Sequence, residues 1–176
     1  MTILTTGHVR VFVAAGSNVE PEHNLERACA EIAHTWHDAR FSRAYRNVAV
    51  GFEGPDFINL VTGFSTALPL QSVIARLRAI ETQCGRPRYA PKWASRTMDL
   101  DVLLYGDRVE QTSEYTLPRP DLLKRPYMLG PLAEIAPQVK HPVEGRTIAE
   151  LWAAFDRDGH SMTPVGIPGI PATHVA

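Results

Sequence analysis

Met98-Asp99-Leu100-Asp101-Val102-Leu103-Leu104-Tyr105 is an apolar run interrupted twice by aspartate and stopped by Gly106. Its length and its aliphatic content predict a strand. Upstream, Pro69 to Cys84 carries Leu70, Val73, Ile74, Leu77 and Ile80 at three- and four-residue steps, which predicts a helix opened by proline and ended by Gly85. Before it, Phe57 to Ser65 reads as a strand with Phe57, Asn59, Val61 and Gly63 on one face and Ile58, Leu60 and Thr62 on the other. Phe41 to Val48 reads as another strand, followed by a loop at Gly51, Gly54 and Pro55. Pro21 to Trp36 repeats Leu25, Cys29, Ile32 and Trp36 at helical spacing, and the β-branched run from Val9 to Ala15 predicts a buried strand. The order β-α-β-β-α-β up to Gly106 is the ferredoxin-like split βαβ pattern. The expected class is α+β, a mainly antiparallel sheet with helices packed on one face and long loops. Short helices are expected within Asp121–Ala136 and Thr147–Phe155, leaving one domain over residues 1–157 and a Pro/Gly-rich, extended or mobile tail over 158–176.

The chain has 176 residues, 44% hydrophobic and 21% charged, which suits one globular domain and excludes a wholly disordered chain. Its net charge of −1 does not advertise a nucleic-acid or membrane partner. Two cysteines, Cys29 and Cys84, are too few for a disulfide framework, and no apolar run reaches the roughly 20 residues that span a bilayer. A cytoplasmic protein is expected.

Aspartate is depleted inside strands, so Asp99 and Asp101 need a reason. Residues two apart in a strand share a face about 7 Å apart. That spacing lets both carboxylates reach a pair of hard cations, for which Mg²⁺ is the suitable ion. A solvated strand face carrying two acids is the other reading. From Thr82 to Met98 there is no acid, but there are Arg86, Arg88, Lys92 and Arg96, with Trp93 among them. Such a Gly- and Pro-containing segment is expected to be a mobile loop that opens and closes over a ligand. Arginine forks match phosphate oxygens, so a cationic loop running into an acid pair suits a metal-bound nucleoside triphosphate. Alone, the loop would read as merely solvated or as steering nucleic acid. Neither G-x-x-x-x-G-K-S/T nor G-x-G-x-x-G occurs, so the ordinary phosphate cradles are absent. Phe57 and Asn59, two apart on one strand, offer an aromatic face and an amide to a flat ligand, and Tyr127 could supply an opposing ring beside Arg125. Taken singly, both aromatics read as core residues. His34 and His37 sit in no H-E-x-x-H pattern, and Ser17 lacks a G-x-S-x-G context, which argues against a zinc protease or a hydrolase triad.

Several segments together resemble the 6-hydroxymethyl-7,8-dihydropterin pyrophosphokinase family of folate biosynthesis. They are Gly16-Ser17-Asn18 with Asn24-Leu25, Pro55-Asp56-Phe57-Ile58-Asn59, Ile80-Glu81 with Gly85-Arg86-Pro87-Arg88, and Trp93-Ala94-Ser95-Arg96-Thr97-Met98-Asp99-Leu100-Asp101. Leu117-Pro118 and Pro131-Leu132-Ala133-Glu134-Ile135-Ala136-Pro137 continue the match in the same order, over roughly residues 9 to 155. The resemblance implies Mg²⁺-dependent transfer of pyrophosphate from ATP to the pterin hydroxymethyl group, releasing AMP. It implies that Asp99 and Asp101 hold two Mg²⁺, that Arg88 and Arg96 are catalytic, and that Arg86, Arg88, Trp93, Arg96, Val102, Arg119 and Arg125 bind ATP. Gly16, Asn47, Val48, Phe57, Asn59 and Tyr127 would bind the pterin. A monomer acting on small molecules, without nucleic acid or membrane, is the implied assembly.

The chain departs from the family pattern at Asn47-Val48, where threonine and proline are usual, and at Arg119, where histidine is usual. These departures motivate a second expectation, a nucleotide-binding relative with lost or altered pterin activity.

Overall fold

The computed structural model describes residues 7–48, 54–85 and 98–170. Strand β1 (Val9–Ser17) is followed by helix α1 (Pro21–Thr35), two short strands β2 (Arg40–Phe41) and β3 (Ala44–Asn47), strand β4 (Phe57–Thr66), helix α2 (Leu70–Gln83) and strand β5 (Asp99–Tyr105). A small hairpin, β6 (Glu110–Gln111) and β7 (Thr116–Leu117), precedes a 3-10 turn at Pro120–Leu123, helices α3 (Pro126–Ile135) and α4 (Ile148–Ala154), and strand β8 (Thr163–Val165). The main sheet runs β5-β1-β4-β3-β8 with every pairing antiparallel. The first four positions reproduce the ferredoxin-like order that the sequence predicts.

Two details correct the sequence reading. The expected strand from Phe41 to Val48 is broken into β2 and β3, and the register on β4 shifts between Phe41 opposite Thr62 and Tyr45 opposite Asn59. Ser42 explains the break: its hydroxyl accepts from Val61 N at 2.9 Å, taking a donor that an unbroken ladder would give to a main-chain carbonyl. Helices also cover both faces rather than one. Val11, Val13 and Ala15 of β1 face α1 and α2, packing with Leu25, Ile32, Leu70, Val73 and Leu77. Phe12 and Ala14 face α3 and α4, packing with Met128, Leu129, Leu132 and Ile148. A strand buried on both faces reads as a continuous apolar run, which is the pattern of Val11–Ala15.

Part of the segment beyond Asp158 is extended and paired: β8 hydrogen-bonds to the outer edge of β3, with Val165 opposite Ala44. No helix among the described residues is long and apolar enough to cross a membrane.

Between α3 and α4 the chain turns around His141, which is 3% exposed. Its Nδ1 accepts from the main-chain N–H of Val143 at 3.2 Å and Glu144 at 3.1 Å. Burial, partly opposed by the Glu144 carboxylate, lowers the His141 pKa from its ordinary value. The unfolded chain therefore takes up this proton first as pH falls. The contribution of His141 is present above the ordinary histidine value of about 6.5 and fades below it. His141→Asn, which cannot be protonated, is expected to flatten the fall in melting temperature between pH 7 and pH 5. An unchanged slope in a folded variant counts against His141 as its source.

Candidate active site

Asp99 and Asp101 project from β5 on the same face as their β1 neighbours, because Asp99 lies opposite Gly16 and Asp101 opposite Ala14. The next pairing places Asn59 of β4 opposite Gly16, and the one after it places Tyr45 of β3 opposite Asn59. Asp99, Gly16, Asn59 and Tyr45 thus form one row across four strands. Each cross-strand step is about 4.5–5.5 Å, so Asp99 and Asn59 flank the bare backbone of Gly16.

Carboxylates crowd the acid end of that row. The Asp101 carboxyl is raised above the usual carboxylate range, first by burial, then by the charge of Asp99; Arg119 opposes this and Glu81 adds to it. Arg119 Nη2 lies 3.5 Å from Asp101 Oδ2 and 3.3 Å from Asp121 Oδ2. Glu81 is anchored on α2, its Oε2 accepting from Leu100 N at 2.9 Å. Tyr127, at the start of α3, feels the same acids. Burial raises its pKa, the charge of Arg125 works against that, and Asp121, Asp101 and Asp99 add smaller upward pushes.

A cleft of about 640 Å³ opens at this place. Because β5 is an edge strand, the cleft wraps it and meets both of its faces. On the α2 side it is walled by Ile74, Leu77, Val102 and Leu117, and on the other side by Asp99, Asp101 and Arg119. Aliphatic side chains beside charged ones, with Arg78 and Glu81 of α2 also in the lining, suit a ligand with a flat ring at one end and phosphate at the other.

At the other end of the row, the Asn59 side-chain amide donates to Asn47 Oδ1, and both residues are buried. A Cβ on Gly16 would collide with Asn59 Oδ1 and come within 3.7 Å of Phe57 Cδ1, so Gly16, Phe57, Asn59 and Asn47 meet. The Asn47 amide donates back to Val48 O at 3.3 Å, while the Val48 side chain is 67% exposed. Below this group, Glu134 of α3 accepts from the Tyr45 hydroxyl and from Arg43 N, tying β3 to the helix that carries Tyr127.

The structure therefore brings Asp99, Asp101, Val102 and Arg119 to one cleft, with Tyr127 and Arg125 within electrostatic reach. It gathers Gly16, Asn47, Phe57 and Asn59 on the strands beyond, β1, β4 and β3. Arg86, Arg88, Trp93 and Arg96 lie outside the described residues. Sequence reasoning missed the lining supplied by Ile74, Glu81 and Tyr115. Glu81 had a signal: it follows Leu77 by four residues, so an acid stands on the buried stripe of α2. Tyr115 had none, since β6 and β7 are two residues each. No group of three or more His, Cys, Asp or Glu able to hold a metal occurs among the described residues, so the acids offer a pair of ligands rather than a full protein cage.

A sequence profile of the family 7,8-dihydro-6-hydroxymethylpterin-pyrophosphokinase (HPPK) matches residues 12–137. A Synechocystis protein named 2-amino-4-hydroxy-6-hydroxymethyldihydropteridine pyrophosphokinase is 40% identical over 147 residues, which is 82% of this chain and 75% of that protein. A Haemophilus influenzae protein of the same name is 33% identical over 152 residues, covering 84% of this chain and 93% of the relative. Among solved structures, Plasmodium falciparum HPPK-DHPS wild type with STZ-DHP superposes with a TM-score of 0.63 at 14% identity. The match covers 84% of this chain but only 41% of that longer one, and at this identity it speaks for the fold alone.

Proposed function

The chain belongs to the 7,8-dihydro-6-hydroxymethylpterin-pyrophosphokinase family, and from that premise we propose that it transfers the β,γ-pyrophosphoryl group of ATP to the hydroxymethyl oxygen of 6-hydroxymethyl-7,8-dihydropterin, releasing AMP. As a member of that family it is an ATP-dependent diphosphotransferase of folate biosynthesis. In this reading residues 1–157 are one catalytic domain with residues 158–176 as its tail. The protein acts as a cytoplasmic monomer on small molecules, with no nucleic-acid or membrane partner.

The observation that carries the reading is the row Asp99–Gly16–Asn59, which sets an acid pair beside an amide pocket with only a glycine between them. The acids fit a hard divalent cation: both offer oxygen, and burial together with the charge of Asp99 raises the Asp101 carboxyl, a crowding that a bound cation would relieve. Asp99 and Asp101 would hold Mg²⁺, two ions in this reading, which when bound neutralises charge on the triphosphate.

The adenine packs against Ile74 and Val102 on the α2 side of the cleft. Arg86, Arg88, Arg96, Arg119 and Arg125 hold phosphate oxygens, Trp93 helps to cover them, and Arg88 and Arg96 take part in the transfer. The pterin lies between Phe57 and Tyr127, its edge hydrogen-bonded by Asn59 with Asn47 and Val48 behind it, and Gly16 lets it approach the backbone. One of the two acids orients the attacking hydroxyl and takes its proton.

Incubation with ATP, Mg²⁺ and the hydroxymethyl-dihydropterin tests this. AMP formed in step with the pterin diphosphate is expected. ATP binding without AMP release would identify instead a nucleotide-binding relative that has lost the pterin reaction.

A further inference from the structure

We propose that Arg119 is a tethered counter-cation. It rests between Asp101 and Asp121 when the cleft holds no nucleotide, and it transfers to phosphate oxygens when metal and nucleotide enter. The inference deepens the reading above and rests on Asp101 as a metal-holding residue.

Four observations carry it. First, both contacts leave from the same nitrogen, Nη2, at 3.5 Å to Asp101 and 3.3 Å to Asp121. Charge-assisted hydrogen bonds usually close to about 2.7–2.9 Å, so the guanidinium is shared between two acids and locked to neither. Second, Arg119 Nε is buried without a hydrogen-bond partner, the one such side-chain atom found among the described residues. A buried donor left unsatisfied is costly, so this arrangement leaves a donor wanting an acceptor. Third, the main chain at Arg119 is fixed, its N–H donating to Leu103 O at 3.0 Å. The side chain can therefore swing about a stationary base next to the acid strand. Fourth, Arg119 lines both the large cleft and a neighbouring hollow of about 370 Å³ behind Pro118, so there is room on either side of it.

The consequence is electrostatic. Arginine stays charged at every working pH, so the resting protein holds a built-in cation where a divalent ion is to bind. Metal arriving alone must displace it. A polyphosphate arriving with the metal offsets that loss, because its oxygens accept the displaced guanidinium. Arg119 thus favours the joint arrival of metal and nucleotide over metal alone.

Mn²⁺ binding, followed by electron paramagnetic resonance with and without a non-hydrolysable ATP analogue, tests the inference. Arg119→Gln is expected to tighten Mn²⁺ binding in the absence of nucleotide by about 3- to 10-fold, since a competing cation is removed. The same variant is expected to weaken Mn²⁺ binding in the presence of the analogue by about 10-fold, since a phosphate contact is lost. Arg119→Lys, which keeps the charge, should return towards wild type in the nucleotide-free measurement. A merely structural Arg119 would not move the two affinities in opposite directions.

Mn²⁺ binding that is equal in wild type and a folded Arg119→Gln overturns this inference and leaves the metal reading standing. Mn²⁺ binding absent from both proteins, even with the analogue, overturns the two together. If the variant does not fold, the Arg119 Nε–H resonance of the wild-type protein decides. A shift on adding Mg²⁺ with the analogue supports the inference, and a signal indifferent to them overturns it.

Discussion

Asp101→Asn is expected to lower turnover by at least about 10²-fold, because charge stabilisation by bound metal commonly supplies several kcal/mol to phosphoryl-type transfer. Asparagine keeps the shape and one oxygen but loses the charge that holds a cation. The stability readout is expected to move little or in the opposite direction. An acid whose pKa is raised in the fold opposes folding when ionised, and at neutral pH the neutral amide removes that opposition. The variant should therefore melt no lower than wild type at pH 7.5 while its AMP production collapses. Steady-state kinetics and calorimetry on the same preparation check both halves. Near-normal turnover rejects the metal role of Asp101.

Gly16→Ala is expected to raise the pterin KM by about 10- to 100-fold, from an overpacking cost of about 1–3 kcal/mol. The cause is local. A methyl group at this position collides with the Asn59 side-chain oxygen, and Phe57 stands close behind. Asn59 is held by its hydrogen bond to Asn47, so it can yield only by breaking that bond and turning the amide away from its present direction. The acid pair sits on the opposite side of the glycine, on β5, and the ATP KM should change much less than the pterin KM. Equal increases in the two constants would mean that the whole row had shifted, and an unchanged pterin KM would remove Asn59 from the pterin site.

The parts of the fold that were legible in the sequence are those with long, regular periodicity. Helices α1 and α2 announce themselves by apolar steps of three and four, and β1, β4 and β5 by length and composition. Where a side chain replaces a main-chain partner, periodicity is silent, and so Ser42 breaks a strand that the pattern leaves whole. Helices α3 and α4 were expected, but that they cover the second face of the sheet was legible only in the double-sided burial of β1.

At the site the acids were conspicuous because charge inside a strand is costly. Their company was not. Asp99, Gly16 and Asn59 are separated by more than forty residues at each step, and only strand register makes them neighbours. Glu81 was missed for a related reason: it resembles an ordinary surface charge until the fold turns it towards β5.

The pairing of β8 with β3 has a bearing on how this protein is shortened. β3 has β4 on one side and, without Thr163–Val165, open water on the other. A gene cut at residue 157 spares every group assigned to the chemistry, yet it bares a row of unpaired amides and carbonyls along Ala44–Arg46. Such a border invites a neighbouring molecule to add its own strand. The penalty for the missing piece would be paid in stickiness between molecules, well before the chemistry itself failed.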